Sequence, residues 1–377
     1  MKKYFSFVIF LTILFIFFVS INGSLKAQKI KIKTENGIPV VYNPKKPAPP
    51  KGVLTKLVLK EDFSIGEGEQ EEEMFSEMTA VEVDKEGNIY IVDRKESMIK
   101  VFDNKGKYVR TIGRKGQGPG EVNQPVGIRI TPNNELLVED VFNQRLAVFT
   151  LDGKFLKNLS TAKALGLAGI AVDSKGNIIG QQVVPSENKL TREVKKYGSD
   201  LNPLFTIVSS DFPNILEGKI NIFRFLIFYV VGKEDHIFYG NPEEYEIKIF
   251  NSEGKLVKKI LKEWDAVKVT KEDEEDILAR IPDVGGGFKD RLEFPKLFPA
   301  YQSFSLDEQE RLLVRTFEKG KKKEEYFFDV FDAEGKYIAK ILFKGEPRIW
   351  KGKKLYAIDE TENGFMILKC YSVDWEK

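Results

Sequence analysis

Val101-Phe102-Asp103-Asn104-Lys105-Gly106-Lys107-Tyr108 takes one apolar strand through a polar turn and a Gly-Lys pair into the next strand. The same phrase returns at 148–155, 249–256 and 330–337, with a degenerate copy at 197–202. Gly106 and Gly153 are 47 residues apart, which lies within the ~40 to 50 residue period of propeller blades. The repeat therefore predicts a β-propeller before any other motif is considered.

A second recurring phrase precedes the first. Residues 83–91 and 172–179 each place Asp and Gly-Asn between apolar alternations, and 130–137 and 306–313 are looser copies. Asp commonly starts such a turn, and Gly supplies the positive φ that the turn requires. Each blade is therefore expected to contain two hairpins, which together form four antiparallel strands.

The copies predict an all-β fold with six blades over residues 53–377. Five blades are expected at 78–112, 125–159, 168–208, 224–262 and 301–344. The final stretch, 348–375, supplies only three strands, and the unpaired strand at 53–59 is expected to complete it. Pairing the two ends in this way removes the exposed edges that an open ring would present.

The totals are those of an ordinary folded protein of 377 residues, with 42% hydrophobic and 31% charged residues. The net charge is +2, and removing Lys2, Lys3 and Lys26 with the N-terminal segment gives 2 − 3 = −1. A chain with so little net charge has no global field to hold nucleic acid or an anionic membrane. We expect a monomer that binds no nucleic acid.

Residues 1–27 have the composition of a secretory signal. A basic start, Met1-Lys2-Lys3, is followed by an almost purely apolar run from Tyr4 to Val19, which is the pattern of exported proteins. Cleavage is expected after Ala27, and an uncleaved membrane anchor stays open as an alternative because Leu25 is large for the peptidase. The protein is expected to be exported, to the periplasm or the cell exterior.

The cysteine content limits how the protein can be attached and stabilised. Cys370 is the only cysteine and lies far from the apolar run. A lipoprotein anchored through cysteine is therefore excluded, and no internal disulfide can form.

Two segments depart from the repeat. Residues 28–52 end in a proline-rich stretch that favours extended polyproline structure, so they are interpreted as a lead-in that packs no core. Gly254 and Gly335 are 81 residues apart, which indicates an insertion at 262–300. Within it, a cap-like threonine and an acidic first turn predict a short helix over 270–281. An aromatic loop follows at 294–301.

The first blades resemble a known repeat family. The motifs that carry the likeness are GNIYIVD at 87–93, IKVFD at 99–103, GRKGQGPGEV at 113–122 and PVGI at 125–128. Together they resemble the NHL repeat of exported bacterial six-bladed β-propellers. The likeness is strongest over 80–160, and its general pattern extends over 53–377.

The resemblance implies a fold and a habit of binding other molecules, because propellers of this kind serve many unrelated functions. It also implies that Asp93, Asn143 and Arg145 are largely scaffold. Some relatives in the family are amidating lyases or metal-dependent hydrolases. A metal-assisted hydrolase or lyase with its site in the central channel is therefore the alternative to a binding protein.

The residues themselves offer little for catalysis. His236 is the only histidine, which excludes a zinc site of the histidine-rich kind. Near the expected starts of the innermost strands only Glu77 supplies a carboxylate, which is too few for calcium. Glu139 and Asp140 are sequence neighbours and point to opposite faces of a strand, so we interpret them as a surface residue and a blade contact. No catalytic residue, metal ligand or cofactor is predicted.

Long irregular loops on one side of a rigid scaffold are where function concentrates. The crossings between blades, the middle connections and the insertion are all expected on the same rim. The predicted contacts on this rim are Arg94, Arg145, Arg224, Phe294, Phe298 and Tyr301. We interpret the protein as a non-enzymatic binding propeller for a protein, peptide or glycan. A structural or assembly role stays open, and so does an insertion that plugs the channel and buries its own aromatics.

Overall fold

The structure is a computed structural model that describes residues 29–68, 71–164, 166–185, 189–212, 218–281 and 287–377. The predicted signal, residues 1–27, lies outside the described residues. Within the ranges given, no helix is long and apolar enough to cross a membrane. The described chain forms six blades, each with four antiparallel strands, and the innermost strands of the blades contact one another in a closed ring. The predicted six-bladed propeller is confirmed.

The strands are numbered along the chain. The first three are β1 (Lys31–Glu35), β2 (Ile38–Asn43) and β3 (Lys56–Ile65). Blade 1 contains β4 (Met78–Val83), β5 (Ile89–Asp93), β6 (Met98–Phe102) and β7 (Tyr108–Ile112). Blade 2 contains β8 (Gly127–Ile130), β9 (Glu135–Asp140), β10 (Arg145–Thr150) and β11 (Phe155–Ser160). Blade 3 contains β12 (Ala168–Val172), β13 (Ile178–Pro185), β14 (Leu190–Tyr197) and β15 (Pro203–Phe212).

The second half of the chain completes the ring. A short strand, β16 (Ile220–Asn221), precedes blade 4, which contains β17 (Phe228–Val231), β18 (Ile237–Gly240), β19 (Glu246–Phe250) and β20 (Leu256–Lys262). Helix α1 (Lys271–Arg280) and the short strand β21 (Leu292–Glu293) follow. Blade 5 contains β22 (Ser303–Leu306), β23 (Leu312–Lys319), β24 (Glu325–Phe331) and β25 (Tyr337–Lys344). Blade 6 contains β26 (Glu346–Lys351), β27 (Lys354–Glu360) and β28 (Met366–Glu376).

The two ends of the propeller close on each other as predicted. Strand β3 pairs antiparallel with β28 and forms the outer strand of blade 6, from Lys56 opposite Glu376 to Ile65 opposite Leu368. The observed strand is longer than the predicted 53–59. Closure therefore depends on backbone pairing between residues at opposite ends of the chain.

The interpretation of residues 28–52 as a lead-in that packs no core is wrong for 31–43. Strand β2 lies parallel to β20, and β1 pairs antiparallel with β2, so blade 4 has six strands. Val40 and Val41 are buried in this sheet. The buried Asn43 side chain bonds the backbone of Leu261, Gly335 and Tyr337 at 2.8 to 3.1 Å. The hairpin therefore joins blade 4 to blade 5.

The hydrophobic core lies between neighbouring blades, where six clusters of buried side chains occupy the six interfaces. The phenylalanine of each repeated phrase belongs to one of them. Phe102, Phe149, Phe250 and Phe331 are all buried, and each packs against the blade that precedes its own. The repeated sequence therefore sets the packing between blades as well as the hairpin within each blade.

The turns form for the reason that the sequence suggested. Asp84 Oδ1 accepts backbone N–H groups from Glu86 and Asn88 at 3.0 and 2.8 Å. Asp103 Oδ1 accepts two in the same way, both at 2.9 Å, from Lys105 and Lys107. Each carboxylate thus satisfies donors that the strand ladder leaves unpaired, as Asp does in such turns.

The glycine of the Gly-Lys phrase is required for two reasons, its positive φ and its close approach to the preceding blade. Gly106, Gly254 and Gly335 have φ of +82°, +78° and +88°, where a side chain is strained. A Cβ at Gly106 would also lie 2.6 Å from Phe63, a side chain of β3 in the preceding blade. At Gly335 the distance would be 2.7 Å to Ile260. The turn can approach its neighbour only without a side chain.

Gly106→Ala is expected to lower the free energy of unfolding by about 2 to 4 kcal/mol, because the left-handed backbone and the overpacking against Phe63 both cost energy. The matched control is Gly176→Ala. Gly176 has φ +81° and open space around the missing Cβ, so only the backbone penalty of about 1 to 2 kcal/mol applies. Urea unfolding measures both losses, and equal losses would contradict the close-approach argument.

The insertion at 262–300 contains the helix that the sequence predicted. Helix α1 starts after Thr270, whose hydroxyl accepts the Asp273 N–H at 3.2 Å while the Asp273 carboxylate accepts the Thr270 N–H at 2.8 Å. This is a capping box, although with Asp in place of the usual Glu or Gln. Arg280 at its end pairs with Glu324 of blade 5 at 3.0 Å. Strands β16 and β21 pair in parallel and join the insertion to the preceding crossing.

Candidate functional site

The two sides of the propeller differ in their loops. We call the loop-rich rim the side formed by the crossings between blades and by the connections between the second and third strands of each blade. The turn rim is the opposite side, formed by the other hairpin turns. Antiparallel strand order places the Gly-rich crossing 113–120, the crossing 66–77 and the insertion 262–300 on the loop-rich rim.

Arg145 lies on this rim as scaffold. Its side chain is 11% exposed, and Nε lies 2.7 Å from Asp140 Oδ2. The guanidinium donates to the backbone carbonyls of Gln117, Gly118 and Glu121 at 2.8, 3.3 and 2.7 Å. These bonds hold the Gly-rich crossing in place, and with the Asp140 contact they use four of the five guanidinium N–H donors. Arg145 therefore has the scaffold role that the resemblance implied, and its contact with a partner stays a prediction.

Asp140 is the centre of the same network. Its side chain is fully buried, and besides Arg145 it accepts the Asn123 backbone N–H at 2.9 Å and Asn143 Nδ2 at 2.7 Å. Asn143 Nδ2 also donates to Gly116 O at 3.0 Å. The interpretation of one residue of the Glu139–Asp140 pair as a surface residue is thus wrong, because both are buried.

Blade 1 repeats part of this arrangement. The buried Asp93 accepts the backbone N–H groups of Ser76 and Glu77 at 3.0 and 3.1 Å, which fixes the crossing into its own blade. Arg94 pairs with Glu77 at 3.1 Å and is partly exposed. Glu77, expected near the channel, therefore lies on the rim in an ion pair.

The predicted aromatic contacts are mostly internal. Tyr301 is 0% exposed, and its hydroxyl donates to Glu246 O at 3.1 Å. Phe298 is buried and stacks on Phe317 with ring centroids 4.2 Å apart. Side chains without exposed surface cannot contact a partner, so both predictions are wrong. The insertion folds back on blade 5 and buries them. The alternative in which the insertion buries its own aromatic side chains is therefore correct on that point.

Besides Arg94, two more of the predicted contacts keep accessible surface. Arg224 is exposed and lies 3.8 Å from Glu243, a separation too long for a strong pair. Phe294 is half-buried and meets Phe223 edge-on at 6.2 Å. Both lie in crossings that flank blade 4 and blade 5, on the loop-rich rim.

A cleft of about 520 Å³ opens on the loop-rich rim between blades 6 and 1. Its apolar wall consists of Met74, Phe75, Met98 and Phe365. The Lys100 ammonium below donates to Met74 O at 2.6 Å and lies 5.1 Å from the centre of the Phe75 ring. The cleft therefore combines an apolar wall with an internally bonded cation.

The central channel contains a second cavity, of about 480 Å³. Charged side chains from blades 1, 2 and 6 line it, namely Glu82, Arg129, Glu139 and Arg348. Arg129 Nη1 lies 3.6 Å from Glu82 Oε1. The Glu139 carboxylate accepts the backbone N–H groups of Gly169 and Ile170 at 2.7 and 3.1 Å. Glu139 thus joins blade 2 to the innermost strand of blade 3, as the blade-contact interpretation required.

Enclosure raises the pKa of both carboxyl groups. Burial raises the pKa of Glu82, an effect that the nearby Arg129 partly opposes. Burial likewise raises the pKa of Glu139, although Arg129 and two backbone N–H groups favour its charged form. Desolvation is the larger cause in each case because it penalises the charged form. Arg129 therefore favours the charged form of both carboxyl groups in this channel.

Sequence reasoning found the start of this channel and missed its charges. Thr79, Val126 and Gly127, at or next to the starts of innermost strands, line it, but Glu82 and Arg129 lie farther along their strands and Arg348 belongs to β26 of blade 6. The available signal was alternation, since Ile128 is buried and its neighbour Arg129 points to the other face. Gly127 supplied another, because a Cβ there would lie 2.3 Å from Glu139 Oε1.

In the described parts of the chain, no group of three or more His, Cys, Asp or Glu could hold a metal ion. His236 lies in the turn between β17 and β18. Cys370 is buried in blade 6 without a disulfide. Burial raises the pKa of its thiol to about 11.

Part of the chain is similar in sequence to a known protein. A stretch of 133 residues is 23% identical to Protein brain tumor of Drosophila melanogaster and covers 35% of this chain and 13% of that protein. The chain thus spans 13% of that relative's length.

Solved structures are also similar to this chain. A Bacteroides fragilis NCTC 9343 protein, named for its expected export, has a TM-score of 0.56 and 14% identity over 90% of this chain and 100% of that one. A DUF4221 member from Bacteroides vulgatus ATCC 8482 has a TM-score of 0.53 and 12% identity over 86% and 100%. These likenesses bear on the fold alone. The model of the family DUF5128, 6-bladed beta-propeller, matches residues 69–368, and the chain belongs to that family.

Proposed function

We propose that the chain is a non-enzymatic binding propeller that holds a protein, peptide or glycan on its loop-rich rim and at the mouth of its channel. The observation that carries the proposal is the location of the exposed large apolar side chains. Met74, Phe142, Leu297 and Phe365 lie on the loop-rich rim and are 43%, 59%, 47% and 53% exposed. Exposed apolar groups gathered on one surface mark interaction sites.

The turn rim provides the contrast. In the described part of the chain its hairpin turns expose no large apolar side chain. The other exposed apolar residues lie on outer strands or in β1, apart from Leu54, which precedes β3. Single residues scattered in this way are normal on a protein surface. The asymmetry between the rims therefore favours the loop-rich one as the binding surface.

The cleft between blades 6 and 1 is the best candidate within that rim. Met74 and Phe365 stand at its wall, and Glu72 and Glu96 add negative charge beside them. Flexible methionine side chains adapt to different partners, and aromatic side chains supply much of the energy at interfaces. Both features suit an extended peptide or a loop of a partner protein.

The double variant Met74→Ser, Phe365→Ser is expected to raise the Kd for a bound peptide about thirtyfold, because removing hot-spot contacts costs about 2 kcal/mol or more. A displayed peptide library selected on the unaltered protein supplies the ligands. Fluorescence anisotropy then gives their Kd for each variant.

The control double variant is Val109→Ser, Leu156→Ser, on two outer strands where both side chains are exposed. The control should bind as the unaltered protein does. Selected peptides that bind the rim variant undiminished, or a library that yields no binder, would count against the proposal.

We also propose that the protein is exported, as a periplasmic or extracellular monomer with NHL-like repeats. The basic and apolar start of the sequence supports export. The name of the Bacteroides fragilis relative points the same way. N-terminal sequencing of protein recovered from the cell envelope would test whether residues 1–27 are removed.

A further inference from the structure

The central channel brings together side chains of both charges from three blades. Glu82 comes from blade 1, Arg129 and Glu139 from blade 2, and Arg348 from blade 6. The cavity, about 480 Å³, lies within the ~300 to 1,000 Å³ range of small-molecule sites. It is separate from the cleft on the rim, with which it shares no lining residue.

The fold uses only part of the bonding capacity in this cavity. Each oxygen of the Glu139 carboxylate accepts one backbone N–H group of blade 3, so Glu139 serves the scaffold. Glu82 pairs with Arg129 only at 3.6 Å, which is longer than a hydrogen bond, and Lys351 is a further cation that favours its charged form. The only hydrogen bond that the Arg129 side chain makes with the described residues is to Ile128 O at 2.7 Å. Most of its guanidinium therefore faces the cavity without a protein acceptor.

Two buried polar atoms at the same cavity also lack protein partners. The Thr79 hydroxyl and Arg348 Nε have no hydrogen-bond partner within the described residues. The other end of Arg348 is held by Glu346 at 2.9 Å. Buried polar groups are nearly always bonded, because an unbonded one costs free energy. A carboxylate, a hydroxyl and two guanidinium groups thus share unused capacity.

This set of groups favours a ligand with two oppositely charged ends, which we call its two poles. Guanidinium groups bind carboxylates with strong directional bonds, whereas a carboxylate beside a hydroxyl accepts bonds from an ammonium group. An ion with only one charge would meet repulsion from the residues of like sign. No aromatic side chain is among the described residues that line the cavity, so a quaternary ammonium would lack its preferred face.

We propose that the channel binds a small zwitterion of amino-acid size. Its primary ammonium group lies at Glu82 and Thr79, and its carboxylate lies at Arg129 and Arg348. This site does not depend on the proposed function of the rim, and either can fail while the other stands.

Isothermal titration calorimetry on the full chain tests the proposal. The probes are glycine, 4-aminobutyrate and 6-aminohexanoate, which separate the two poles by increasing distances. Butyrate and butylamine each keep one pole of 4-aminobutyrate. At least one zwitterion is expected to bind saturably, and at least about tenfold more tightly than an analogue with one pole, because each pole adds charge-assisted bonds.

Glu82→Gln and Arg129→Met are expected to weaken this binding by about tenfold or more. Glu253→Gln and Arg114→Met are the matched controls, at exposed positions outside the channel, and should bind as the unaltered chain does. If a channel variant does not fold, Thr79→Val and Arg348→Met test the same two poles. The proposal is overturned if no zwitterion binds, if one pole suffices, or if the channel variants bind undiminished.

Discussion

A chain that starts at Gly66, and so lacks β3, is expected to lose cooperative folding. Strand β3 pairs with β28 over most of its length and contributes the buried Ile65 to the interface of blades 6 and 1. Without it, β28 becomes an unpaired edge and the ring opens beside Phe63, on which Gly106 of blade 1 packs. Total stabilities of about 5 to 15 kcal/mol leave little to absorb such a loss.

The measurement is urea unfolding followed by tryptophan fluorescence, with size-exclusion chromatography to detect aggregates. A chain that starts at Gly52 is the control, because it lacks β1 and β2 but keeps β3. We expect it to unfold in one cooperative transition at a lower urea concentration than the full chain. If the chain from Gly66 unfolds at the same midpoint as the control, closure by β3 contributes little and the argument is wrong.

The fold could be predicted because its information is local and repeated. Asp103 and Gly106 specify a turn within a few residues of themselves, and Phe102 lies at a fixed offset from both. The closing strand could be predicted by elimination, since an incomplete blade at one end and a spare strand at the other leave one solution. The longer extent of β3 could not, because strand ends depend on pairing with a distant segment.

The N-terminal hairpin could not be predicted, because nothing local specifies its partner. Asn43 bonds Leu261, 218 residues away in the chain, and the segment contains no copy of the repeat. The proline-rich stretch that follows suggested extended structure, which is also the conformation of a strand. The composition does not indicate that β20 has a free edge with which the hairpin pairs.

The sequence predicted which rim would hold the candidate site, but it missed most of the residues that the structure exposes there. Arginines and aromatics were predicted as contacts because their side chains donate hydrogen bonds and bury large surfaces at interfaces. Arg145 and Tyr301 use the same properties within their own chain. Their burial depends on how the crossings fold back, which no local pattern reports. Met74 and Phe365 were overlooked because an exposed apolar residue has the same sequence signature as a buried one.

Arg145→Met is expected to lower the free energy of unfolding by about 3 to 5 kcal/mol, the usual cost of leaving one buried charge without its partner. Asp140 is fully buried, and after the change it would keep only the Asn123 and Asn143 donors. The carbonyls of the Gly-rich crossing would lose their donors as well. Chemical denaturation at neutral pH measures the effect.

Two comparisons make this prediction specific. Arg114→Met removes a rim arginine that is 80% exposed and pairs with Glu121, so it should cost no more than about 1 kcal/mol. In the double variant Asp140→Asn, Arg145→Met the stranded charge is gone, and the loss should be smaller than the sum of the two single losses. Additive losses, or an Arg145→Met variant as stable as Arg114→Met, would mean that Arg145 is not the scaffold residue its contacts indicate.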